Sequence, residues 1–179
     1  MGIGQAETVR SVISEPLIER RVKELAREIE EQYQDTDLVA VCVLKGSFVF
    51  FSDLVRRIDL PMSCEFLGVS SYGQQRSKSG EVKITLDLAT PVVGRHLLLV
   101  EDLIDTGATT YFLMQALAAR RPASIKVCSL LVRRHALRFP LEIDYAGFEV
   151  GDEFIVGYGI DSAERYRGLS YIGALEKQL

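Results

Sequence analysis

No stretch of this 179-residue chain approaches the roughly 18 consecutive apolar residues that a membrane-spanning helix needs. Its opening residues, Met1 to Glu7, lack the charged-then-apolar pattern of a secretory leader, and Ala6 stands where a myristoylation site carries Ser or Thr. The expectation is a cytoplasmic protein with no membrane partner. Cysteine is scarce: Cys42, Cys64 and Cys128 are odd in number, far apart and flanked by strand-like apolar residues. They read as buried free thiols in a reducing compartment rather than as a disulfide framework or a metal set. Positive charge is in deficit, with 21 Lys and Arg against 25 Asp and Glu. A net charge of −4 argues against a general nucleic-acid surface, so any phosphate site must be a local arrangement. Also missing are a strand leading into Gly-x-Gly-x-x-Gly and the Gly-x-x-x-x-Gly-Lys-[Ser/Thr] loop, which removes dinucleotide oxidoreductases and Walker-type NTPases.

What is present alternates. Ile18, Val22, Leu25, Ile29 and Tyr33 recur at helix spacing over 17–33, and Leu38 to Leu44 is a β-rich apolar run. The pattern predicts a helix from Phe48 to Ile58, strands over 62–69 and 82–88, a helix over 111–120 and strands over 125–132 and 143–148. Such alternation implies an α/β fold with a central, mostly parallel sheet flanked by helices. No repeat, low-complexity tract or linker divides the chain, so residues 1–179 read as one domain. Its core is expected over about 35–135. A small hood, built from the N-terminal residues and about 134–179, would cover the strand carboxyl ends. Ser70 to Gly80 is polar and holds two glycines; by itself it suits a solvent-exposed β-arm better than a lid.

The most informative stretch is 96–110. Leu97 to Val100 run as a buried strand into Glu101 and Asp102; Asp105 then precedes a Thr-Gly-Ala-Thr-Thr turn that opens a helix. Hydroxyls and backbone N–H groups from Thr106, Gly107, Thr109 and Thr110 at a helix start suit a phosphate monoester. Like charge bars Glu101 and Asp102 from that phosphate. They would accept hydrogen bonds from sugar hydroxyls or face a hard divalent cation. Asp105 or Thr106 could be a mere helix cap, but capping needs one of these residues and the stretch supplies five. An anion half beside a hydroxyl-or-metal half describes a ribose 5-phosphate cradle.

This stretch resembles the phosphoribosyl-pyrophosphate motif of type I phosphoribosyltransferases, and the rest of the chain is similar to the hypoxanthine (hypoxanthine-guanine) phosphoribosyltransferases. Val43-Leu44-Lys45-Gly46-Ser47 resembles their pyrophosphate loop, and Ser70-Ser71-Tyr72-Gly73 with Lys78-Ser79-Gly80 their mobile active-site loop. Phe154 to Asp161 resembles their purine-stacking and metal-binding segment, and Tyr166-Arg167 their closing arginine. The blocks stand in the family's order across about residues 38–172. The loop over 70–80 then becomes a lid.

The resemblance implies transfer of 5-phosphoribosyl from phosphoribosyl pyrophosphate to a 6-oxopurine, hypoxanthine or guanine, with Mg²⁺ on the leaving pyrophosphate. It implies Asp105 as general base, and Glu101, Asp102, Thr106, Gly107, Ala108 and Thr109 on the phosphoribosyl group. Lys45, Gly46, Ser71, Tyr72 and Arg167 would hold pyrophosphate; the bond before Lys45 is often cis in the family. Arg133, Phe154 and Ile155 would hold the purine, and Glu101, Asp102 and Asp161 the metal. A homodimer or homotetramer is expected. Two residues depart from the pattern: Arg133 replaces a lysine that donates to the purine 6-oxo group, and Gly168 follows the closing arginine. Xanthine- or pyrimidine-specific transferases are the nearest alternatives. A nucleic-acid-binding sensor of phosphoribosyl pyrophosphate is a remoter one, because an acidic chain of this length has no room for a DNA-binding domain.

Overall fold

The computed structural model describes residues 8–72 and 81–176, with only the backbone of Ser71, Tyr72 and Glu81. Strand β1 (Thr8–Ile13) is followed by helix α1 (Glu15–Tyr33), strand β2 (Leu38–Leu44) and helix α2 (Phe48–Val55). Strands β3 (Met62–Tyr72), β4 (Glu81–Leu86) and β5 (His96–Ile104) come next, then helix α3 (Ala108–Ala118) and strand β6 (Ser124–Val132). The chain ends in strands β7 (Tyr145–Glu149), β8 (Ile155–Val156) and β9 (Ile172–Glu176).

Six strands form the main sheet in the order β4-β3-β2-β5-β6-β7; all neighbours are parallel except β4 against β3. Side chains of a strand alternate between faces, and here both faces are covered. Ala40, Cys42, Leu98, Val100, Cys128 and Leu130 face the cluster that includes α1 and α2. Val39, Val41, Val43, Leu97 and Leu99 face Leu113 and Leu117 of α3. The expected parallel sheet is thus present. From β2 the chain builds outward through β3 to β4, then returns to the other side of β2 with β5, β6 and β7. The order reverses between β2 and β5, and open α/β sheets take their ligands outside the strand ends at that crevice.

A second sheet, β1-β9-β8, is the hood. Ile13, Ile155, Tyr158, Ile160 and Ile172 join the α1–α2 core cluster, so the hood is packed on the domain. Gly159 has φ +101°, and a Cβ there would overlap Gly46 O; hood and pyrophosphate loop meet backbone to backbone.

Several boundaries differ from expectation. β7 belongs to the main sheet through β6, so the hood takes only the later part of 134–179. β5 runs on through Glu101 and Asp102 to Ile104, because Leu103 and Ile104 still pair with Leu131 and Val132. α2 stops at Val55, where the Arg57 amide turns back to Leu54 O. Cys42 and Cys128 are buried, but Cys64 is exposed, since β3 reaches past the cover of α2. Among the described residues no helix is long and apolar enough to cross a membrane.

Candidate active site

At the crevice, β5 ends at Ile104 and the chain turns through Asp105-Thr106-Gly107 into α3. Gly107 has φ +81°, a left-handed conformation that a side chain would oppose, and a Cβ there would sit 3.3 Å from Leu137 Cδ2. The Ala108 amide donates to Thr106 Oγ1 at 3.4 Å. The first amides of an α-helix lack intrahelical acceptors and carry the positive end of its dipole, so this turn aims donors outward. A pocket of about 230 Å³ opens there, lined by residues 101–110 together with Val43, Leu44, Gly46 and Val69. It gathers Glu101, Asp102, Asp105, Thr106, Gly107, Ala108, Thr109 and Gly46 from the sequence reading.

Three carboxylates stand at this pocket in different surroundings. Glu101 is 5 % exposed and accepts a hydrogen bond from Thr110 Oγ1 at 3.2 Å. Burial, then the charge of Asp102, pushes its acid form well above the ordinary carboxylate range. Asp102 is half-buried, and burial also pushes it up, with Asp161 adding to the shift and Arg167 opposing it. A Cβ on Gly46 would overlap the Asp102 carboxylate, so a larger residue there would push that carboxylate out of its present place. Asp105 has a half-exposed side chain and an ion pair with Arg133 Nη1 at 3.2 Å.

The pyrophosphate side is built on the β2 loop and the hood. The Leu44–Lys45 peptide bond is cis. Lys45 Nζ lies 3.0 Å from Glu164. Arg167 donates to Gly159 O at 2.8 Å and pairs with Asp161 at 2.8 Å and Glu164 at 3.1 Å. Glu164 therefore joins the two cations expected to hold pyrophosphate, and hydrogen bonds from Lys45, then Arg167, hold its pKa below the ordinary glutamate value. The sequence offers no signal for it: a glutamate in an exposed polar turn looks like any other. Ser71 and Tyr72 end β3, their backbones paired with Val82 and Glu81. The remainder of the expected lid, Gly73 to Gly80, lies outside the described residues.

The carboxylates expected at a metal are only partly drawn together here. Among the described residues no three His, Cys, Asp or Glu side chains are grouped to hold an ion. Glu101 and Asp102 line the pocket, whereas Asp161 is turned to Arg167 and to the Glu164 amide at 2.8 Å. Two pocket carboxylates still suit Mg²⁺, which keeps several waters and takes its other oxygens from substrate phosphates rather than from an all-protein cage.

On the purine side Phe154 is 57 % exposed and Ile155 is buried in β8. Leu175 N donates to Phe154 O at 2.8 Å, fixing the backbone beneath an aromatic ring left free to stack. Arg133, at the end of β6, donates through Nε to Gly151 O at 2.7 Å and through Nη2 to Glu153 O at 2.5 Å.

Known proteins resemble this chain in both sequence and fold. A family profile described as the phosphoribosyl transferase domain matches residues 9–163. A hypoxanthine-guanine phosphoribosyltransferase of Bacillus subtilis is 47 % identical over 165 residues, covering 92 % of each chain. One from Dictyostelium discoideum is 44 % identical over 171 residues, covering 93 % of this chain and 95 % of its own. A crystal structure of a hypoxanthine-guanine phosphoribosyltransferase from Bacillus anthracis superposes with a TM-score of 0.89 at 40 % identity, covering 93 % of this chain and 99 % of that one. With pocket, fold and relatives in agreement, this chain belongs to the phosphoribosyl transferases, in the hypoxanthine-guanine phosphoribosyltransferase family.

Proposed function

We propose that the chain salvages purines by moving the 5-phosphoribosyl group from phosphoribosyl pyrophosphate to hypoxanthine or guanine, releasing pyrophosphate and forming IMP or GMP. The observation that carries this reading is one pocket that gathers the donors at the α3 start with Glu101, Asp102 and Asp105, the last of them paired to Arg133. Thr106 to Thr109 hold the 5-phosphate, and Glu101 and Asp102 accept from the ribose hydroxyls. Phe154 stacks on the base, the Ile155 backbone meets its edge, and Arg133 turns a free N–H to the 6-oxo group. One imidazole nitrogen of the purine attacks the anomeric carbon as the bond to pyrophosphate breaks, and Asp105 takes the proton from the other. Positive charge gathers on the ribose in the transition state, and the pocket carboxylates stabilise it. Glu101, Asp102 and Asp161 are the carboxylates that would hold Mg²⁺, which would supply positive charge to offset that of the leaving pyrophosphate. Lys45 and Arg167 receive pyrophosphate in place of Glu164, with Ser71 and Tyr72 closing over it.

The working protein is a cytoplasmic homodimer or homotetramer. Phe48, Phe66 and Leu86 are exposed apolar side chains, and Phe66 and Cys64 lie on one face of β3, a surface suited to a second copy of the chain. Steady-state assays with hypoxanthine, guanine, xanthine, adenine and uracil, with and without divalent cation, test the reading. Turnover of the first two, only with cation, is expected. Turnover of uracil with neither oxopurine active would sink the purine assignment.

A further inference from the structure

The residue that departs from the family pattern is also among the most heavily bonded at the site. Three of the five guanidinium N–H groups of Arg133 are committed: to Gly151 O at 2.7 Å, to Glu153 O at 2.5 Å and to Asp105 at 3.2 Å. Gly151 and Glu153 belong to the turn that leads from β7 into β8, and this turn ends at Phe154. The Arg133 side chain itself is only 13 % exposed, while the carbonyls and carboxylate it reaches lie at the surface, and one charged donor makes all three contacts. The next two residues reach the same turn: Arg134 pairs with Glu149, and His135 Nε2 lies 2.7 Å from Asp152. Those pairs are exposed and contribute little. Arg133 is the fastening that counts.

We propose that Arg133 is a positioning residue that fixes the 150–154 turn, and with it Phe154, before any base arrives, and ties that turn to Asp105. The proposal rests on the base-binding role given to Phe154 above, and it goes beyond contact with the 6-oxo group. A planar fork reaches two carbonyls and a carboxylate at once. A lysine in its place is a single nitrogen on a flexible stem, so the preformed turn is a property of the arginine. The two N–H groups left over remain free to meet a base oxygen, so holding the turn and reading the base are compatible.

Two measurements on R133A and R133K separate the roles. Hydrogen exchange of amides 150–154 in the ligand-free protein reads the turn with no base present. Loss of both carbonyl bonds should speed it by about tenfold or more in R133A and by less in R133K. Competitive inhibition by unsubstituted purine, which has no group at position 6, is then compared with the KM for hypoxanthine. If Arg133 acts through the turn, R133A weakens both by a similar factor, on the order of tenfold, while the KM for phosphoribosyl pyrophosphate holds. Unchanged exchange in both variants overturns the proposal. So does a penalty for hypoxanthine that is absent for unsubstituted purine, which would make Arg133 a reader of oxygen alone. Failure of the transferase reading itself would show separately, as no turnover of any purine by the unaltered protein.

Discussion

Glu101 and Asp102 stand four and three residues before Asp105 at one strand end, yet the fold gives them different surroundings from Asp105. The first pair is withdrawn from water, beside a hydroxyl and a glycine loop, and is driven toward its protonated form. Asp105 has passed the end of the strand, is half-exposed and faces a guanidinium. A carboxylate short of solvent and counter-ion is poised to gain from hydroxyl donors or a cation. One with solvent access and a guanidinium partner is suited to the base role proposed for Asp105. Identity of side chain does not separate these surroundings; the point at which β5 leaves the sheet does.

The strongest way to break this contrast is to neutralise each side in turn. Asp105→Asn is expected to lower turnover about 10²–10⁴-fold, the usual contribution of a general base, with substrate KM values nearly unchanged. Single-turnover kinetics checks it, and a variant within a few-fold of the parent would move the base elsewhere. Glu101→Gln is expected to do the opposite kind of damage. The KM for phosphoribosyl pyrophosphate should rise about tenfold, as for loss of a charged hydrogen bond. The cation-free protein should gain on the order of 1 kcal/mol, since a buried charge is gone. For a chain of this size that is a rise of about 2–4 °C in Tm by calorimetry; no rise would mean that Glu101 is already neutral or better solvated than its burial indicates.

Acidity sharpens the same contrast. Glu101 and Asp102 bind protons more tightly folded than unfolded, so their contribution to stability grows as pH falls through their raised folded values and is complete below the unfolded values, near 4. Carboxylates held low work in reverse. Glu65, with hydrogen bonds from Thr90 and the Ala89 amide, contributes stability above its unfolded value and loses it as pH falls through the folded one. Without divalent cation, Tm should therefore rise from neutral pH into the mildly acidic range before acid unfolding sets in. That rise should shrink in Glu101→Gln and on adding Mg²⁺, which competes with protons for the same oxygens. A flat profile would place Glu101 and Asp102 on the solvated side of the comparison. The smallest effect is expected at Glu164, whose ion pair with Lys45 is exposed. Glu164→Gln should lower the KM for phosphoribosyl pyrophosphate only a few-fold, because a solvated pair is readily exchanged for a better anion.

Local pattern carried far into this molecule. β2 was legible to the residue, because a strand buried on both faces must be an unbroken apolar run. The phosphate turn was legible because Gly107 and its threonines are chosen by backbone geometry within a few residues. What escaped depends on partners distant in sequence. β1 and β9 are defined by pairing with each other, β8 is two residues long, and β5 overran its apolar stretch because β6 continued beside it. Glu164 and the turn held by Arg133 were hidden for the same reason: their meaning lies in residues 119 and about 20 positions away.

The pairing of Thr8 with Glu176 has a consequence for how the molecule is made. Ile155 of β8 is held by Ala174 of β9, whose outer neighbour is β1, so the purine shelf rests on a contact that spans nearly the whole chain. Long-range pairing is slow to form, because the closure entropy of a large loop is met before the contact rewards it. During synthesis the β2–β5 crevice can assemble while β9 is still inside the ribosome, but the shelf cannot. The turn at the start of α3 thus depends on near neighbours in sequence, whereas β8 depends on the two ends of the chain meeting.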